Sequence, residues 1–151
     1  KQYCYVTGTD SYVGYTRLLG MYDAMKEGRA EAGEGFGLAN HFCADFSEDK
    51  AYAEFMKIPL NFDAVICEND DMAVGALRAL RERGVRIPED VSIIGADNIK
   101  ATAYTDPPIT TFDNMSTELG KTAFNELYRL INGEKSRATE LESRIIERNS
   151  I

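Results

Sequence analysis

The sequence has no tryptophan, a single histidine, three cysteines and four prolines among 151 residues. No apolar run approaches the roughly 18 residues that a membrane-spanning helix needs, which excludes such a span. The odd count of Cys4, Cys43 and Cys67, with no CxxC spacing, argues against a zinc site or a disulfide framework. Cys4 and Cys67 lie in apolar runs and read as small buried hydrophobes, which suits a reducing compartment. Basic residues are in short supply, 17 Lys+Arg against 25 Asp+Glu, for a net charge of −8. An acidic surface repels phosphate, so this segment is not expected to grip nucleic acid or an anionic membrane by itself.

Enzyme signatures are missing as well. His41 sits in a hydrophobic stretch without a paired Ser or Cys motif, and reads as a partly buried surface histidine. There is no GxSxG elbow, no GxxxxGKS/T phosphate loop and no HExxH. Gly33, Gly35 and Gly37 follow no strong strand and do not have dinucleotide-loop spacing. Glu68, Asp70 and Asp71 read as a solvated helix N-terminus rather than a metal site. No catalysis, cofactor or metal is expected. No signal peptide opens the chain and there is no initiator Met, so a processed or excised piece of a longer protein is expected.

Hydrophobic residues make up 44% of the chain, enough for a sizeable core. Runs at 2–7, 41–43, 62–67, 91–95 and 109–112 read as strands, with a final weak one between 139 and 148. Helical periodicity separates them: through Leu18, Tyr22 and Met25 to Gly28, from Ser47 to about Lys57, from Asp70 to Gly84, and from Ser116 to Gly133. The stretch from Ala30 to Ala39 reads as a loop or weak helix end. Strands alternating with helices predict an α/β fold, a mostly parallel sheet with helices on both faces.

In open α/β sheets, ligands sit outside the carboxyl ends of the strands. Those ends carry Gly8-Thr9-Asp10-Ser11, Asp45-Phe46, Glu68-Asn69-Asp70, Asp97-Asn98 and Asp113-Asn114. Such groups suit a small polyhydroxylated ligand, with an aromatic face for the C–H side of a ring. Asp70 and Ser47 read as helix caps, which leaves Asn69 open to either role. Asp97 precedes no strong helix and reads as functional.

The run Asn69-Asp70-Asp71-Met72-Ala73-Val74-Gly75-Ala76, followed by Gly84-Val85-Arg86-Ile87-Pro88-Glu89-Asp90-Val91-Ser92-Ile93-Ile94-Gly95-Ala96-Asp97, resembles the LacI/GalR family of bacterial transcription regulators. Pro107-Pro108-Ile109-Thr110-Thr111 resembles the family's PPLTT crossover, and Arg144 to Arg148 its terminal strand. The resemblance implies a periplasmic-binding-protein-like type I fold. Residues 1–106 would form most of the C-terminal lobe, 107–135 a crossover strand and helix of the N-terminal lobe, and 136–151 a strand returning to the C-terminal lobe. The DNA-binding head and most of the N-terminal lobe would be absent. Phe124, Leu127 and Ile131 would then be exposed or self-associate.

By the same resemblance, Arg17, Phe46, Asn69, Asp97 and Asn114 would bind the effector, Asn114 standing where the family usually has Gln. The helix Met72–Arg83 would lie at a homodimer interface. The implied function is binding of a sugar or nucleoside-like effector that controls operator binding through the absent head, in the cytoplasm. The alternative is a sugar-binding protein of an ABC-type transport system.

Overall fold

Six strands form one sheet in the order β2-β1-β3-β4-β5-β6 in the computed structural model, which describes residues 1–9, 12–32 and 37–151. β1 (Gln2–Thr7) lies between β2 (Gly37–Cys43) and β3 (Ala64–Cys67), parallel to both. β4 (Ser92–Ala96) and β5 (Thr110–Asp113) extend the parallel run, and β6 (Arg144–Ile146) closes it antiparallel to β5. The chain moves one way from β1 to β2 and the other way thereafter, so strand order reverses beside β1, where such sheets open a crevice. The strand expected within 107–135 is thus part of this same sheet: Ile94, Gly95 and Ala96 pair with Thr110, Thr111 and Phe112.

Period-two alternation gives each strand two faces. One buries Cys4, Val6, Val65, Cys67 and Ile93 in a single cluster with Phe55, Met72 and Leu80 from α2 (Glu48–Phe55) and α3 (Asp70–Glu82). Phe55 meets Phe42 and Phe62 edge-on, with ring centroids 5.3 and 6.1 Å apart. Ala73, Gly75, Ala76 and Ala79 are all buried, and their small side chains let α3 settle closely against the core. The opposite face carries Tyr5, Ile66, Ile94 and Phe112. On that side α1 (Tyr12–Ala32) leaves Tyr12, Tyr15 and Leu19 exposed. α4 (Ser116–Ile131) has no buried residue, and Phe124, Leu127 and Ile131 are exposed.

Several local expectations change. α1 continues past Gly28 to Ala32, and β2 begins at Gly37 rather than His41. Gly33 and Gly35, and the caps expected from Asp10 and Ser11, lie outside the described residues. Ser47 caps α2 as expected, accepting from Lys50 N. In α3 the roles are exchanged: Asn69 is the cap, its Oδ1 accepting from Met72 N at 3.0 Å. Asp70 instead turns into the core, fully buried, accepting from Thr111 Oγ1 at 2.6 Å and Ile99 N at 2.8 Å. It ties α3 to β5 and to the segment after β4. Burial raises its pKa, and those two hydrogen bonds oppose the rise. Glu68 is buried too, so of the three carboxylates read as a solvated helix start only Asp71 is exposed.

Candidate functional site

Because β1 to β5 run parallel, their carboxyl ends lie along one edge, and the turns leaving them share it. A cavity of about 230 Å³ opens on the α1 side of that edge. Its floor is Ile66, Ile94, Gly95 and Ala96, and its wall is Phe112. Tyr5, Arg17, Glu68 and Asn114 bring polar groups into it. An apolar floor with a few converging polar groups is the usual form of a small-molecule site.

Arg17 stands on α1 and reaches back over the sheet, its guanidinium donating to the Glu68 main-chain oxygen at 3.1 Å. That single bond orients the head and leaves further guanidinium N–H donors for a ligand. Across the cavity, Asn114 Nδ2 donates to Asp97 Oδ1 at 2.7 Å. Asp97 therefore stands one hydrogen bond behind the cavity. It also lines a separate hollow of about 280 Å³ with Asn98, Asp113, Ser116 and Arg144. Its φ of 100° is left-handed backbone that a non-glycine residue seldom adopts, and such outliers gather at binding sites.

Phe46 and Asn69 sit at the other end of the edge. Phe46 is partly exposed, has a φ of 56°, and lays its ring where any Cβ on residue 8 would stand. A larger residue at position 8 would have to push that ring aside. Asn69, besides capping α3, donates to the Phe46 carbonyl oxygen at 3.4 Å. Glu68 connects the two ends: its Oε2 accepts from Gly8 N at 2.8 Å and its Oε1 from the Tyr5 hydroxyl at 3.2 Å. A chain of contacts thus runs from Asn69 through Phe46, Gly8 and Glu68 to Arg17, with the Asn114–Asp97 pair facing it. Arg17 and Asn114 line the cavity, Asp97 backs it, and Phe46 and Asn69 flank it.

Tyr5, Glu68 and Phe112 were not among the expected site residues. Tyr5 and Phe112 fall on the α1-side face by strict alternation along their strands, a pattern present in the sequence once the pairing is known. Glu68 already stood in the strand-end set, but its neighbours made it look like a solvated helix start. Burial raises the Tyr5 phenol pKa above its ordinary range, and the Glu68 carboxylate adds to the rise while Arg17 opposes it. His41, Cys43, Thr7 and Tyr15 line a neighbouring hollow of about 380 Å³, where the Cys43 thiol donates to the Gly8 carbonyl oxygen. Among the described residues no cluster of His, Cys, Asp or Glu has the arrangement of a metal site. No helix among them is long and apolar enough to cross a membrane.

Residues 12–151 match the periplasmic binding protein-like domain family. Among curated relatives, the HTH-type transcriptional repressor PurR of Shigella sonnei (strain Ss046) is 38% identical over 143 residues, 91% of this chain and 41% of the relative. The chain thus spans about two-fifths of that relative's length. Among solved structures, the Escherichia coli transcriptional repressor ascG superposes with a TM-score of 0.84 at 29% identity, covering 99% of this chain and 55% of that one. A dimeric Lac repressor with an 11-residue C-terminal deletion superposes with a TM-score of 0.86 at 25% identity, over the same shares of the two chains.

Proposed function

The chain belongs to the periplasmic binding protein-like domain family, in the form carried by LacI/GalR-type repressors, and from that membership we propose that it forms one wall of the effector cleft of such a regulator. The observation that carries this is the cavity at the parallel strand ends, where Arg17 and Asn114 face one another over an apolar floor. Arg17 donates to effector hydroxyl or carbonyl oxygens. The Asn114–Asp97 pair offers both a donor and an acceptor, and Phe46 covers the C–H side of a ring. These contacts suit a sugar or a nucleoside-like molecule. No covalent step is needed, and the reading as an ABC-transport binding protein falls away beside relatives that are named repressors.

In this reading a second lobe supplies the opposite wall, and α4 is the element it covers. The absence of any buried residue in α4 supports that. The effector favours one relative orientation of the lobes, and in a dimer that orientation sets the spacing of the DNA-binding heads and hence operator affinity. The dimer contact runs over the outer face of 72–83, where Arg78, Arg81 and Glu82 are exposed while the apolar face packs inward. Operator binding places the protein in the cytoplasm.

The test uses the full-length regulator. A thermal-shift screen against sugars and nucleosides identifies the effector by the rise it produces in Tm. Arg17→Ala and Asp97→Ala are expected to abolish the effector response while operator binding persists. An undiminished response in both variants overturns the site.

A further inference from the structure

The cavity contains a buried charge that its shape does not require. Glu68 is only 4% exposed, and both of its oxygens accept hydrogen bonds, from Gly8 N and Tyr5 Oη. That is the acceptor-only arrangement of an ionised carboxyl. A glutamine could satisfy the same two partners, accepting from Gly8 N and donating to the Tyr5 oxygen, without the cost of burying a charge. We propose that the Glu68 carboxylate sets the charge selectivity of the cleft: it balances Arg17 and restricts the site to uncharged ligands, shutting out phosphorylated or acidic ones. The inference rests on the cleft being the effector site, and it adds the class of molecule that the cleft refuses.

Arg17 is the one cation and Glu68 the one anion among the described residues lining the cavity. The exposed Arg17 guanidinium is held on the main-chain oxygen of Glu68, so it stands near that residue's carboxylate without forming an ion pair with it. Glu68 is held in place by its hydrogen bonds and packs close to Gly14. Its Oε1 lies 3.1 Å from where a Cβ would stand on Gly14, in the first turn of α1, and Gly8 and Tyr5 hold it on the other sides. Asp97, held by Asn114, adds a second negative charge beside the cavity, and in the hollow beyond it Arg144 is paired with Asp113. Charges act more strongly over an apolar floor than in water. An anion arriving at Arg17 therefore also meets the field of the Glu68 carboxylate and of a second carboxylate behind Asn114. A neutral hydroxyl or carbonyl still gains a charge-assisted hydrogen bond from Arg17.

The experiment titrates the intact protein with inorganic phosphate by calorimetry at fixed ionic strength. Wild type is expected to show no phosphate binding that depends on Arg17. Glu68→Gln is expected to bind phosphate at least about tenfold more tightly than the weakest binding the titration could have detected in wild type, and adding Arg17→Gln to it should remove the gain. Glu68→Ala is a second neutral variant, read the same way should Glu68→Gln fail to fold. The proposal is overturned if wild type already binds phosphate in a manner that Arg17→Gln abolishes, or if the neutral variants bind it no better than wild type. Failure of the cleft reading would appear separately, in the effector response of Arg17→Ala and Asp97→Ala, which involves no phosphate.

Discussion

α3 and α4 carry apolar stripes of similar weight. In α3 the stripe is Met72, Ala76, Leu77 and Leu80, and in α4 it is Leu119, Phe124, Leu127 and Ile131. Every residue of the first is buried and every residue of the second is exposed. The helices also start differently. α3 has the Asn69 side chain bonded to its first turn, whereas α4 opens at Met115, in the left-handed region with a φ of 54° and no side-chain cap. Amphipathicity states that a face needs cover, not where the cover comes from. Among the described residues the sheet and α2 cover α3, and nothing buries the apolar stripe of α4.

Truncating each stripe tests that contrast most severely. In the 151-residue chain, Leu80→Ala should cost about 2–5 kcal/mol in urea denaturation, the range for a buried leucine. Leu127→Ala should stay within about 0.5 kcal/mol of wild type, as surface changes do. Equal losses would mean that α4 is packed in solution. A smaller effect separates the two helix starts. Asn69→Ala should cost about 1 kcal/mol through the lost cap, while Met115→Ala removes no capping bond and should leave the denaturation midpoint nearly unchanged. The smallest effect is electrostatic and lies on the α3 side. Arg86, bonded to Asp90 through its side chain and its backbone N–H, holds that carboxyl at about 2, below its ordinary 3.8. A depressed carboxyl pKa adds stability above the unfolded value and loses it as pH falls through the folded one. The stability difference between wild type and Asp90→Asn should therefore be steady above about pH 4 and vanish towards pH 2. A difference that persists at pH 2 would detach it from this ion pair.

The parallel sheet was legible because 62–67 and 91–95 are short apolar runs bounded by turn residues and separated by a helical period. Most of the candidate edge was legible for a related reason: residues directly after such strands have few other places to go. What escaped the sequence was the choice between neighbours. Asn69 and Asp70 are both good caps, and only packing shows that Asp70 is needed by Thr111, 41 positions away. Glu68 stands beside two other carboxylates and so resembled a solvated cluster. Its partners, Gly8 and Tyr5, lie 60 and 63 residues earlier, beyond any local pattern. The end of α1 was misplaced because Gly28 looks like a stop, yet a lone glycine inside a helix costs only about 1 kcal/mol against alanine.

The last strand has a consequence for how copies of this protein can meet. β6 is three residues long, carries Arg144, and is followed by Glu147 and Arg148. Beyond it, the buried Ser150 hydroxyl donates to the Ile93 oxygen and accepts from Thr110 N, clamping the chain end across β4 and β5. A short, charged border of this kind is a poor template for backbone pairing with a neighbouring chain. Fibre-like growth by sheet extension is therefore discouraged on that side, and whatever association occurs there has to be made by side chains.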